Sequence, residues 1–426
     1  MTKRIPISYI KTLIRYLEDR RLLGKISSAQ QFYDDPKPYI FVSTLNHPKK
    51  LTDGVFYKSS SSGLSFMSKY EAIFKCLVEA YERLGQVCFR YIELINDTPN
   101  SLRGDCLDIV RYFGVHQNKK IFWTEGYDIT NDKKCLIPAQ LVYLNYERQA
   151  EEMLLYQSNS TGAAIGLDLE SAVVNGIYEV VERDAFITTY LTKSAARKID
   201  IVDLVTKLTP ENKKTLKAIL ENIEFLNLEL MLFDMTTDLK IPTFMSFLMD
   251  KTGIGPALTV GSKSSLNQQE AVIGAIEESF QTRSWLRYEM GKNKFKNKIS
   301  PKNISSFLQR GLLWASLKNL RVFDYLTGQK AAGIKPLNIR YFNKKEELKT
   351  LIRIFQKRKI ELFYKDISLD FFLELSLVAV KVLIPHLHPL PLDERAKKLN
   401  YKRLEEVRSH FGNKNQIITT FPHPFL

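Results

Sequence analysis

Residues 159–186 read NSTGAAIGLDLESAVVNGIYEVVERDAF, and the way this stretch recurs elsewhere in the chain decides the fold. Centring it on Glu179 and comparing the chain with itself brings in Glu79 and Glu278, each about one hundred residues away. Seven positions before each glutamate stands alanine (Ala72, Ala172, Ala271), followed by a β-branched residue (Ile73, Val173, Val272). Three positions before comes a small residue (Cys76, Gly176, Ala275), then a branched aliphatic one (Leu77, Ile177, Ile276). Two positions after comes a large apolar residue (Tyr81, Val181, Phe280), and three after comes Glu82, Glu182 or Gln281. Apolar residues at this spacing predict three amphipathic helices, each with one buried face.

Residues three apart share a helix face, so each helix projects a polar pair: Glu79 with Glu82, Glu179 with Glu182, and Glu278 with Gln281. One Glu-x-x-Glu pair is ordinarily a solvated surface, but three equivalent copies point to convergence on one site. Carboxylates brought to about 4 Å would repel by roughly 4 kcal/mol per pair at an effective dielectric near 20, so convergence requires cations between them. Oxygen ligands with no histidine or cysteine pattern beside them suit a hard ion, and Mg2+ typically combines one or two carboxylates with substrate phosphates. Arg83, Arg183 and Arg283 either serve phosphate oxygens or pair with the glutamates. A Ser/Gly-containing stretch with Gly63, Gly162 or Gly261 precedes each helix, a loop type that brings backbone N–H groups near anions.

Composition sets the outer limits. A chain of 426 residues that is 44% hydrophobic and 26% charged can bury a large core. Four cysteines without a CxxC pair and six histidines without ligand spacing argue against a zinc site or a disulfide framework. The amino terminus lacks a signal-peptide core, and the most apolar run, SLVAVKVLIPHL, is broken by Lys381 and Pro385. A cytoplasmic protein with no membrane segment is expected. The net charge of +15 attracts anionic partners over distance. The lysine run GKNKFKNKISPKN (291–303) reads as an exposed loop, and with Phe295 its lone aromatic it is thin support for nucleic-acid binding.

Locally, Ile10, Leu13, Ile14 and Leu17 predict an amphipathic helix over about 10–23. The segments CFRYIEL (88–94), KIFWTEGYDI (120–129), QLVYLNY (140–146), LELMLFDMTT (228–237), PTFMSFLMD (242–250) and LSLVAVKVLI (375–384) read as strands. Their partial alternation favours a mixed α and β fold with largely antiparallel sheets.

At this point the residues resemble a known family, the YcaO ATP-dependent cyclodehydratases that modify peptide backbones. The likeness rests on LVEAYER (77–83), on the quoted 159–186 stretch, and on AIEESFQTRSW (275–285). IPAQLVYL (137–144), VKVLIPHLHPLPLDER (380–395) and the terminal FPHPFL add to it. The resemblance implies an α+β fold with helices and sheets around a central ATP and Mg2+ site, a catalytic domain over 56–426, and an N-terminal segment over 1–55. It implies that Glu79, Glu82, Glu179 and Glu182 are metal or phosphate-shell ligands. Asn175, Arg183, Glu278, Gln281 and Arg283 would complete the nucleotide pocket.

The chemistry implied is ATP-driven activation of an amide oxygen. A Cys, Ser or Thr side chain of a ribosomally made precursor peptide attacks the preceding carbonyl, the oxyanion is phosphorylated, and loss of phosphate leaves an azoline. In relatives that form rings the carboxy terminus is proline-rich and lies at the active site; Pro422, Pro424 and Leu426 resemble that tail, with leucine where a third proline often stands. Many relatives carry Gly-Lys-Gly in the first glycine-rich stretch, whereas this chain has Gly63-Leu64-Ser65, leaving Lys58 or Lys69 as substitutes. No fused peptide-recognition domain is recognisable, so a separate leader-peptide-binding partner is implied, and a homodimer stays open. Two other readings stay open as well: thioamide formation with a sulfide donor, and a non-catalytic scaffold or basic binding protein.

Overall fold

The computed structural model describes residues 5–426 apart from 55–58, 103, 115, 150, 156–157, 293–298, 336, 338–342, 397 and 415–416. Lys58 and the centre of the lysine run, Lys294, Lys296 and Lys298, therefore lie outside the described residues. The three repeats form helices α2 (Lys69–Val87), α3 (Leu169–Leu191) and α4 (Gln268–Gln281), after α1 (Ile7–Asp19). Each repeat helix starts on a side-chain cap, with Ser68, Asp168 and Asn267 accepting from first-turn N–H groups. Each also carries a first-turn acid (Glu71, Glu170, Glu270) that complements the positive end of the helix dipole.

The strands pair antiparallel in three sheets. β1 (Leu23–Ser28), β2 (Tyr39–Leu45) and β3 (Ser60–Ser65) form the smallest, in order β1-β2-β3. β4 (Ile95–Asp97), β5 (Ile121–Asp128), β6 (Lys133–Pro138), β7 (Ala163–Gly166), β12 (Phe363–Asp366) and β13 (Val378–Leu383) form the largest, in order β4-β5-β12-β13-β7 with β6 on β5. β8 (Arg197–Ile199), β9 (Leu228–Asp234), β10 (Thr243–Asp250) and β11 (Leu258–Ser264) run in order β11-β10-β9-β8. Strands β3, β7 and β11 each lie at a sheet edge, and each leads into one repeat helix.

The three units interlock in a ring. α2 packs on β3 and also touches β7, α3 packs on β7 and touches β11, and α4 packs on β11 and touches β3. Strand and helix approach so closely that a Cβ on Gly63 would stand 2.2 Å from Ala72 O, and one on Gly261 would stand 2.3 Å from Ala275 O. The repeating apolar positions are what this contact buries: Ala72, Leu77 and Tyr81 on α2, Ala172, Ile177 and Val181 on α3, and Ala271, Ile276 and Phe280 on α4. Helix α1 covers the outer side of α2, where Tyr81 Oη donates to Leu13 O at 2.8 Å.

Several local expectations change. Helix α1 ends at Asp19 rather than near Leu23, because Arg21 turns the chain with φ 54°. CFRYIEL is an irregular stretch with a 3-10 turn at Tyr91–Glu93, and QLVYLNY opens with a short helix, Ala139–Val142, after Pro138. The aromatic residues that suggested strands pack on one another instead: Phe89 stacks on Tyr143 at 4.8 Å and meets Tyr91 edge-on at 5.3 Å. Gly63 and Gly261 lie inside strands rather than loops, and Gly162, with φ 84°, turns the chain into β7.

Candidate active site

The ring encloses a cavity of about 640 Å³. Glu79, Glu82, Asn175, Glu179, Glu182, Arg183, Glu278 and Gln281 all line it, together with Leu426. The repeat also fixes how the leading glutamates are held. Oε2 of Glu79 accepts from Ser62 N at 2.9 Å, that of Glu179 from Gly162 N at 3.1 Å, and that of Glu278 from Ser262 N at 2.7 Å. Each edge strand or its entry turn thus orients one carboxylate, leaving the other oxygen to Arg83 at Glu79 and to the cavity at Glu179 and Glu278. The N–H groups expected to face a phosphate are used on glutamates instead. Asn175 Nδ2 donates to Ile165 O at 3.0 Å, and Gln281 Nε2 reaches the first unit at Ser62 Oγ, 2.7 Å away.

The carboxylates are crowded and poorly hydrated. Burial pushes Glu82 well above the usual carboxylate range, and the charge of Glu179 adds to the effect. Burial also raises Glu179 and Glu278, with Arg183 opposing in both cases. Glu182 is pushed up to about 7 by burial, against the pull of Arg183 and Lys263. Against these stand Arg83, 3.0 Å from Glu79, and Arg183, within 3.6–3.9 Å of Glu179, Glu182 and Glu278. The contacts of Arg183 are all longer than a hydrogen bond, and among the described residues its Nη1 and the Nε of Arg83 are buried without a hydrogen-bond partner.

Sequence reasoning missed three lysines. Lys75 and Lys263 line the cavity, whereas Lys69 is exposed, with its ammonium over the Tyr70 ring. Lys381 is buried behind the wall, donating to Asn159 O and Thr161 O at 2.6 and 2.7 Å, and burial pulls its pKa down to about 8 despite Glu179 and Glu82 nearby. Lys75 was within reach of a sequence argument, since it precedes Glu79 by one helical turn on the same face. Lys381 and Lys263 sit on strands whose convergence no local pattern reveals.

Arg283 is not in the cavity. Its Nε donates to Asp35 at 2.8 Å and its Nη2 to Asp250 at 2.7 Å, with all three side chains buried. The carboxy-terminal tail threads inward. Pro422 O accepts from Trp314 Nε1 at 3.1 Å and from Tyr190 Oη at 3.1 Å, while Arg310 Nη1 donates to His423 O at 3.0 Å. These bonds deliver Phe425 and Leu426 to the cavity wall, where the Arg183 guanidinium lies 4.0 Å above the Phe425 ring. Pro422 and Pro424 are buried behind that wall and do not line the cavity.

This donor set fits a multiply anionic ligand with hard cations. It offers desolvated carboxylates that need neutralising and buried guanidinium N–H groups that need an acceptor. Among the described residues no three acidic, histidine or cysteine side chains already form an ion cage.

Among solved structures the chain is similar to a heterocyclase in complex with substrate and cofactor, at 19% identity and TM-score 0.75, over 97% of this chain and 57% of that one. It is similar to the YcaO protein from Methanopyrus kandleri bound with AMPPCP and Mg2+, at 16% identity and TM-score 0.62, over 92% and 94% of the two chains. It also resembles the E. coli microcin synthetase McbBCD complex with pro-MccB17 bound, at 13% identity and TM-score 0.62, over 85% and 88%. At these identities the likeness is one of fold. Among curated proteins it matches an uncharacterized protein of Methanothermobacter thermautotrophicus, 25% identical over 51% of this chain and 55% of the relative. A second match is an uncharacterized protein in the tfuA 3′ region of Rhizobium leguminosarum bv. trifolii, 30% identical over 31% of this chain and 30% of the relative. The chain thus spans little more than half the length of the first of these relatives and less of the second. Residues 67–388 match the family described as YcaO cyclodehydratase, ATP- and Mg2+-binding. With three repeat helices around one acidic cavity and a match over most of its length, the chain belongs to the YcaO family.

Proposed function

We propose that the protein activates a peptide-backbone amide with ATP and Mg2+, converting Cys, Ser or Thr of a ribosomally made precursor peptide to an azoline. The observation that supports this most directly is the pairing of desolvated carboxylates with partnerless buried guanidinium donors in one cavity. When bound, ATP supplies the γ-phosphoryl group that makes the amide oxygen a leaving group, with Mg2+ offsetting the charge. Glu79, Glu82, Glu179 and Glu182 would hold the metal ions, and Asn175, Glu278 and Gln281 would frame the nucleotide. Arg183, whose guanidinium lies over the Phe425 ring and keeps Nη1 unused, would serve the phosphates. Phe425 and Leu426, which line the cavity, would help to keep water from a bound amide. The net change is ATP and peptide to ADP, phosphate and a peptide lighter by one water. A separate leader-binding protein would deliver the peptide.

The test is to incubate the protein, its candidate partner and peptide with MgATP and weigh the peptide. Loss of one water per modified residue, with no loss when Glu182→Gln replaces the wild type, is the expected outcome. A gain matching oxygen-for-sulfur exchange when sulfide is present would replace the azoline reading with thioamide formation. Equal modification by the Glu182→Gln variant would end the metal-site assignment.

A further inference from the structure

The repeat helices share one more equivalent position, four residues before the leading glutamate, and it holds Lys75, Asn175 and Gly274. Lys75 Nζ donates to Leu64 O at 3.1 Å and Asn175 Nδ2 to Ile165 O at 3.0 Å, so each ties its helix to its own edge strand. Gly274 has no side chain to do this, and Lys263 of β11 occupies the space. A Cβ on Gly274 would stand 2.9 Å from Lys263 Cγ and 3.3 Å from its Cβ. The lysine stem therefore crosses the helix at the glycine, and its ammonium stands in the cavity 4.0 Å from Glu182 Oε2.

The two cavity lysines differ in freedom. Lys75 is fixed between two helices, 2.9 Å from Glu71 and 3.3 Å from Glu277. Lys263 is 50% exposed and meets Glu182 beyond hydrogen-bond distance. At that length, with its ammonium half in solvent, the pair holds the lysine only loosely although Glu182 itself is buried. An ammonium on a flexible stem, anchored at its root by a helix backbone, is well suited to an anion that comes and goes.

We propose that Lys263 is a phosphate-contacting residue, and that Gly274 is the slot through which its stem reaches the cavity. Lys263 pairs with Glu182 in the absence of nucleotide and moves to the phosphate oxygens once a metal ion engages that carboxylate. This rests on the nucleotide reading above. The test is calorimetric titration of the full chain, with Mg2+ present, using adenosine, AMP and a non-hydrolysable ATP analogue, alongside the melting temperature of each variant. Lys263→Met is expected to weaken the triphosphate analogue about ten- to hundredfold, as for a lost charge-assisted hydrogen bond, with adenosine unchanged. Lys263→Arg should keep most of the affinity. Gly274→Ala should leave the melting temperature within a few degrees of wild type, because the preference of alanine for helix is offset by its contact with the root of the lysine stem. It should still weaken the analogue about threefold or more, because the stem is displaced. Wild-type affinity in Lys263→Met, or a loss equal for adenosine and the analogue, overturns the proposal. If the wild type binds no nucleotide, the proposed function falls instead.

Discussion

Helices α3 and α4 begin alike and end differently. Both are capped, both follow an edge strand, and both present a glutamate held by the backbone of that strand or of the turn entering it. Arg183 then follows Glu179 by four residues, on the same face, whereas Arg283 follows Glu278 by five, about 100° further round. Helix α4 also stops at Gln281, with Thr282 at its C-cap. The third arginine is thereby carried out of the cavity to Asp35 and Asp250, where it ties the N-terminal segment to β10 and to helix α5 (Arg283–Lys292). A one-residue difference in spacing has divided two duties: one arginine faces the ligand cavity and its counterpart holds the fold.

Exchanging each arginine for methionine is the severest trial of that division. Arg283→Met leaves buried Asp250 without its cation and Asp35 with Arg287 alone, 3.2 Å away, and should cost about 3 kcal/mol in urea unfolding, with nucleotide affinity of the folded protein unchanged. Arg183→Met should lower ATP turnover on the order of a hundredfold, as for loss of one charge-stabilising donor. It should cost little stability, since Glu182 can take up a proton. Reversed outcomes would mean that the two arginines have been assigned to the wrong tasks.

A smaller effect on nucleotide handling is expected from the tail, which leans on α3 through Phe186 and Tyr190. Phe425 packs on Phe186 with ring centroids 4.9 Å apart and under Arg183. Deleting residues 422–426 should cost about 3 kcal/mol, from the lost burial of Phe425, and should abolish peptide modification. Nucleotide binding should stay within about threefold; a larger loss would show that the tail shapes the nucleotide pocket itself.

The smallest effect sought is in pH. Glu182 titrates higher in the folded protein, near 7, than in the unfolded chain, near 4.5. Its contribution is therefore fully present below the unfolded value and is lost as pH rises from about 4.5 through 7. The melting temperature of the nucleotide-free protein should fall by a few degrees over that window, and Glu182→Gln should flatten the slope. Glu278→Gln should flatten it less, because that side chain is 29% exposed against 3% for Glu182.

How far the sequence could have been read follows from what each element uses to hold itself. The three site helices were legible because burial of one face imposes a period, and the period recurs three times. Strand β3, SSSGLS, was not, because it is held by polar contacts: Ser61 Oγ is shared with Ser43 Oγ at 2.7 Å and bonds Cys76 O at 2.7 Å. Propensity says nothing about such a strand. CFRYIEL and QLVYLNY misled because their aromatic residues serve a side-chain cluster and not a pleated surface. The acidic pairs were legible from spacing alone. The burial of Arg283 was signalled only by an offset of five where the other repeats have four, and Lys263 by nothing short of the interlocked ring.

That ring has a consequence for solubility. An edge strand offers unpaired N–H and C=O groups to any passing chain and is a standing invitation to aggregate. β3, β7 and β11 are all such edges, yet each is turned toward the cavity and flanked by a helix from the neighbouring unit. The protein has made its binding chamber out of the three margins it most needs to hide. Excising any one unit would therefore do more than remove a pair of side chains: it would uncover a sheet margin in a neighbour and leave a fragment prone to self-association.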